Sequence, residues 1–90
     1  MTVKKDFYLR EVAGIHVVVA LGAENRRFRG ILRLNDSAAF LFGLFSQGCE
    51  PREAARALMA RYGVDQSDAD AAAASFVADL ERYGLFEHVA

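Results

Sequence analysis

Between Phe7 and Leu21 the chain reads FYLREVAGIHVVVAL, two β-branched and aromatic runs that meet at Ala13-Gly14. Glycine accepts the positive φ of a tight hairpin turn, so this pattern predicts strands at about 7–12 and 15–21. Gly22-Ala23-Glu24-Asn25 is a polar connection, and Phe28 to Leu34 supplies a third strand. Its Phe28, Gly30, Leu32 and Leu34 share one face, while Arg29, Ile31 and Arg33, with Arg27 before them, share the other. Short connections favour an antiparallel meander. From Asn35 the apolar period changes from two to about 3.6.

Three helices follow. The first, about 36–47, is capped by Asn35 or Asp36 and is apolar on almost every side, as a centrally buried helix is. The second, about 51–62, opens on Pro51 and repeats Ala54, Ala55, Leu58, Met59 and Tyr62 on one stripe. The third, about 66–83, has Asp65 as cap and a stripe of Ala69, Ala72, Ala73, Phe76, Val77, Leu80 and Tyr83. Gly48, Gly63 and Gly84 stand where the left-handed residue after a helix belongs, each before an apolar residue, which predicts three Schellman-type stops. The fold class is α+β, ordered βββααα.

Ninety residues make a single domain over 1–90, with 1–6 and 88–90 expected to be flexible. A chain this short buries only about 60–65% of its unfolded surface, so its core uses nearly every apolar residue. The apolar fraction of 53% excludes a disordered chain, and no apolar run approaches the roughly 20 residues of a membrane span. Nothing near the N-terminus reads as an export signal, and the single Cys fits a reducing cytoplasm. The net charge of −1 hides a division: residues 1–35 carry seven Lys/Arg against three acids, and residues 36–90 four Arg against nine acids. Such a split places a local positive field on one part of an otherwise near-neutral protein.

Catalytic and metal-binding machinery is not legible. His16 lies inside a strand and His88 near the C-terminus, and neither has a ligand-type residue at metal spacing. Cys49 directly follows Gly48, where an apolar side chain closes a helix stop, and this structural reading is preferred to a nucleophile activated by the helix start near Pro51. No phosphate-binding glycine loop occurs. The chain is therefore read as a non-enzymatic binding module without cofactor or metal. Its candidate surface is RRFRGILRLN, residues 26–35, since the third strand of a meander is an edge with unpaired N–H and C=O groups. Its arginines either keep other chains off that edge or help an added peptide strand to bind.

The strings YLREVAGIHVVVALG, FRGILRLNDSAAFLF, LMARYGVDQSDADAA and FVADLERYGLF occur in this order over about residues 7–86. In that combination the chain resembles the PqqD-like family, the peptide chaperones also called RiPP recognition elements. The resemblance implies a winged-helix-like fold and binding of the leader segment of a ribosomally made precursor peptide, for presentation to a modifying enzyme. A radical SAM enzyme or another maturase would be that second partner. The leader would lie along Phe28, Arg29, Gly30, Ile31, Leu32, Arg33 and Leu34, in the groove between that strand and the third helix. Ala73, Val77 and Leu80 are the expected pocket formers on the helix. Many relatives have Trp at the position of Phe42, an acid at that of Ala72 and Pro at that of Ala20. The arginines add an expectation of an acidic residue in the leader. A winged-helix DNA binder is the alternative, disfavoured by Asp65, Asp68, Asp70, Asp79 and Glu81 on or beside the third helix. A module whose exposed strand pairs with its own copy is another.

Overall fold

The turn predicted at Ala13-Gly14 forms with positive φ at both residues, 52° and 78°. Such a mirror-image turn matches the twist of antiparallel strands. In the computed structural model, which describes residues 1–22 and 32–87, it joins β1 (Phe7–Val12) to β2 (Ile15–Ala20) in unbroken register from Val12↔Ile15 to Phe7↔Ala20. Gly14 adopts this conformation without strain, whereas Ala13 carries a Cβ into the left-handed region at about 1–2 kcal/mol. Asn tolerates that region better. Ala13→Asn is expected to raise stability by about 0.5–1 kcal/mol, or about 2–8 °C in Tm, and an unchanged melting curve would show that the turn stores no such strain.

β2 continues antiparallel to β3 (Leu32–Leu34), giving the order β1-β2-β3. Residues 28–31, expected in the same strand, lie outside the described residues. The inner face of the sheet buries Phe7, Val18 and Ala20 and half-buries Leu9, Leu32 and Leu34 against the core. Arg33 lies between the two leucines and is exposed. This is the period-two pattern of the sequence, read out as burial.

The helices are α1 (Asp36–Ser46), α2 (Pro51–Tyr62) and α3 (Gln66–Arg82). Asn35, rather than Asp36, caps α1: its side-chain oxygen accepts the Ala38 N–H at 2.8 Å. Asp65 caps α3 through the Asp68 N–H, and Glu50 with Glu53 forms a capping box on α2 behind Pro51. α1 supplies Leu41, Phe42 and Phe45 to the core, and Phe45 is completely buried. Its ring stacks on Phe76 at 5.8 Å and meets Phe86 edge-on at 5.4 Å. The helix is not buried all round, however. Gly43 and Ser46 are exposed, and Phe40 lies half-buried beside Tyr62 at 5.9 Å with the Arg61 guanidinium 5.1 Å from its ring centre.

Only α3 ends in the full Schellman pattern. There the Leu85 N–H reaches the Leu80 carbonyl and the Gly84 N–H that of Glu81. α2 stops on the simpler left-handed motif, a single bond from Gly63 N–H to Met59, and Val64 behind it is exposed. After α1 the Cys49 N–H is taken by the carbonyl of Met1, which displaces the bond a Schellman stop would make.

That last contact belongs to a wider difference from the sequence reading. Residues 1–6 were expected to be loose, but Val3 is buried, bridges to Phe86 and donates its N–H to the Phe45 carbonyl. The Lys4 N–H bonds the Leu85 carbonyl, and Glu87 N–H bonds that of Thr2. Main-chain hydrogen bonds clamp the two ends of the described chain over the open side of α1, and they carry little side-chain signature.

Candidate functional site

The hydrogen bonds of an antiparallel ladder alternate, and the two-residue turn makes Val12 and Ile15 a bonded pair. Counting along β2 from there, His16 and Val18 direct their main-chain groups toward β3, to Leu34 and Leu32. Arg33 lies between those bonded pairs, so its N–H and C=O point away from the sheet. This is the edge expected from the sequence. The strand runs directly into the Asn35 cap, and His16 Nε2 lies 3.0 Å from Asp36 Oδ1, so the edge is held at a fixed place relative to α1.

Beside it opens a groove of about 470 Å³ between β3, the first turns of α1 and one flank of α3. Leu32, Leu34, Leu41, Phe76 and Leu80 supply its apolar lining. Ala72, Ser75, Asp79, Arg82 and Tyr83 form the helical wall, and Asn35, Ser37 and Ala38 close the α1 end. The wall positions repeat at three and four residues, one flank of a helix.

Of the three helix residues expected in this groove, Leu80 lines it. Ala73, one residue from Ala72 and so about 100° around the helix, lines the hollow of about 690 Å³ between α2 and α3 instead. Val77 packs half-buried against the core and lines neither space. Of the strand residues, Leu32, Arg33 and Leu34 border the groove, while Phe28, Arg29, Gly30 and Ile31 lie outside the described residues. Asp79, Arg82 and Tyr83 were not anticipated. Their signal was the second border of the wide apolar stripe on α3, which became meaningful only once β3 lay beside it.

The groove is weakly cationic. Arg82 Nη2 meets Asp79 Oδ1 at 3.3 Å, an exposed pair of the kind that contributes little to stability, and it neutralises both charges. Among the described residues, Arg33 has no carboxylate within ion-pair distance. An anionic group laid along β3 therefore meets one uncompensated guanidinium.

No cluster of three or more metal-ligating side chains occurs among the described residues. Burial pushes the Cys49 thiol above its ordinary pKa, assisted by the negative charge of Glu53, so its nucleophilic thiolate form is disfavoured. None of the described helices is long and apolar enough to cross a membrane.

Three comparisons bear on this arrangement. No curated protein matches the chain. TbiB1, solved in complex with the TbiA(beta) leader peptide, superimposes with a TM-score of 0.77 at 20% identity, over 100% of this chain and 99% of that one. A lasso peptide synthetase B1 complexed with the leader peptide gives 0.71 at 23% identity, over 92% of each chain. The fold is thus that of these two proteins, three antiparallel strands followed by three helices. Residues 16–85 match the family model described as coenzyme PQQ synthesis protein D, a span that starts in β2 and includes all three helices, and the chain belongs to this PqqD family.

Proposed function

We propose that this chain binds the leader segment of a ribosomally made precursor peptide as an added strand beside β3, and presents it to a modifying enzyme. The observation that carries this reading is the outward-facing main chain of Arg33 above a groove whose floor is apolar and whose helical wall is polar. An extended peptide there gains ladder hydrogen bonds from the edge and pockets for alternate side chains from the groove, the usual division between adhesion and selection. That both similar structures hold a leader peptide supports the same assignment.

In this reading Leu32, Arg33 and Leu34 form the described part of the strand site, and Phe28, Arg29, Gly30 and Ile31 extend it. Phe76, Leu80 and Tyr83 receive leader side chains, with Ala72 leaving room where many relatives carry an acid. Ala73 and Val77 support the helix from behind. The protein itself performs no chemistry and needs no cofactor. The modifying enzyme, a radical SAM enzyme or another maturase, supplies the reaction in the cytoplasm. DNA binding is disfavoured because α3 turns Asp68, Asp70, Asp79 and Glu81 to solvent, which opposes a phosphate backbone.

The uncompensated Arg33 selects a leader with an acidic residue near its apolar anchor. A charge-assisted contact contributes about 1.5–3 kcal/mol, so Arg33→Glu is expected to weaken leader binding at least about tenfold and to flatten its salt dependence. Calorimetric titration at low and high salt measures both. Equal affinity and equal salt slope in the variant would remove the acidic residue from the proposal.

A further inference from the structure

The sheet has a second edge. The alternation that turns Arg33 outward on β3 also turns the N–H and C=O groups of Leu9 and Glu11 away from β2, and the bond from Leu21 N–H to the Asp6 carbonyl at 2.8 Å fits that phase. β1 is six residues long with unbroken pairing, so no bulge or proline closes this edge. A separate groove of about 620 Å³ lies beneath it, between β1 and the second half of α1. Leu9, Phe42 and the side-chain-free Gly43 give this groove apolar contact, and its charged lining is Lys4, Lys5 and Arg10 against one acid, Glu87. Among the described residues, neither Lys5 nor Arg10 has a carboxylate within ion-pair distance. Arg10 instead rests its guanidinium 5.2 Å from the centre of the Tyr8 ring and donates to the Leu9 carbonyl at 3.1 Å. These exposed contacts hold a cation over the edge, and a carboxylate can replace them because it pairs with the guanidinium through two parallel N–H···O bonds.

We infer that the β1 edge and its groove form a second strand-addition site, which takes an extended acidic segment of the modifying enzyme. This rests on the leader-presenting role proposed above. A presenting protein must hold leader and enzyme together, and β2 separates the two edges by about 10 Å, two strand spacings, so the sites do not compete. Lys5 and Arg10 fit an acidic strand and oppose a basic one.

The test titrates the isotope-labelled full chain with an acetylated, amidated octapeptide alternating valine and glutamate. Its valine-lysine counterpart and the core half of the precursor serve as further arms. Saturable amide shifts at Leu9 and Glu11 are expected for the glutamate peptide. They should persist with the leader bound and weaken at least tenfold for the lysine peptide and in the Lys5→Glu/Arg10→Glu double variant, whose own spectrum reports its fold. With the purified modifying enzyme, the same amides should broaden in the wild type but not in the variant. Shifts confined to β3, no shifts, or equal response to both octapeptides would overturn the site. Concentration-dependent sedimentation without peptide, lost in the double variant, would assign the edge to a second copy, and β1 shifts with the core half would assign it to the substrate; either overturns the enzyme as occupant. A separate leader titration reads β3 and α3, so failure at β1 is distinguishable from failure of the leader reading.

Discussion

Arg33→Pro is expected to lower leader affinity at least tenfold while leaving the fold intact. Proline lacks an N–H, and in a sheet it is tolerated where that N–H faces away from the neighbouring strand. The bonded pairs between β2 and β3 are His16↔Leu34 and Val18↔Leu32, so position 33 contributes nothing to that ladder. The substitution removes one donor from the edge and puts a ring where the added strand must approach. Loss of one net hydrogen bond is about 1 kcal/mol, and steric exclusion of the partner strand carries the effect beyond a factor of ten. Arg33→Ala is the control: it deletes the guanidinium but keeps the N–H, and retains whatever affinity the main chain supplies. Equal affinity for the proline variant and the wild type, with an unaltered melting curve, would mean that the leader does not pair with this edge.

Phe45→Ala is expected to have the largest effect on stability, about 3–5 kcal/mol, because a fully buried aromatic is replaced where α1, α3 and the C-terminal segment meet. A domain of this length has a total stability of about 5–13 kcal/mol, so the variant retains only a fraction of it and unfolds more than about 15 °C earlier. The loss has two sources: the transfer energy of the ring, and the contacts that Phe76 and Phe86 forfeit around the cavity. Phe40→Ala on the same helix is the comparison. Its ring is half-buried and makes surface contacts with Tyr62 and Arg61, so about 1 kcal/mol is expected. Similar losses for both variants in denaturant unfolding would contradict the placement of the core.

Much of this architecture is legible in the sequence because it rests on local rules. The alternation of Leu32, Arg33 and Leu34 gives the buried and exposed faces of β3, the Ala13-Gly14 pair gives the hairpin, and Asp65 and Pro51 mark helix starts. Where several local answers are compatible, the sequence does not choose between them. Asn35 and Asp36 are both good caps, and the choice follows from His16, whose ring meets the Asp36 carboxylate from a strand twenty residues away. The broad apolar stripe of α3 has two borders. Ala73 belongs to the one facing α2 and Ala72 to the one facing β3, a distinction fixed by the packing of three elements and invisible to a period of 3.6. The anchoring of residues 1–4 is carried by main-chain bonds to Phe45, Cys49, Leu85 and Glu87, which any sequence of suitable shape could make. The groove beside β3 was therefore located by its strand and by Leu80, while most of its helical wall required the fold.

The most direct test of leader recognition is an amide-resolved NMR titration of the labelled protein with the leader half of a precursor, using the core half as control. Leader recognition at this groove predicts saturable shifts at Leu32, Arg33 and Leu34 and along Ala72, Phe76, Asp79 and Tyr83, produced by the leader half alone. Binding of the leader half that left β3 unmoved and shifted the hollow between α2 and α3 instead, or an equal response to the core half, would contradict it.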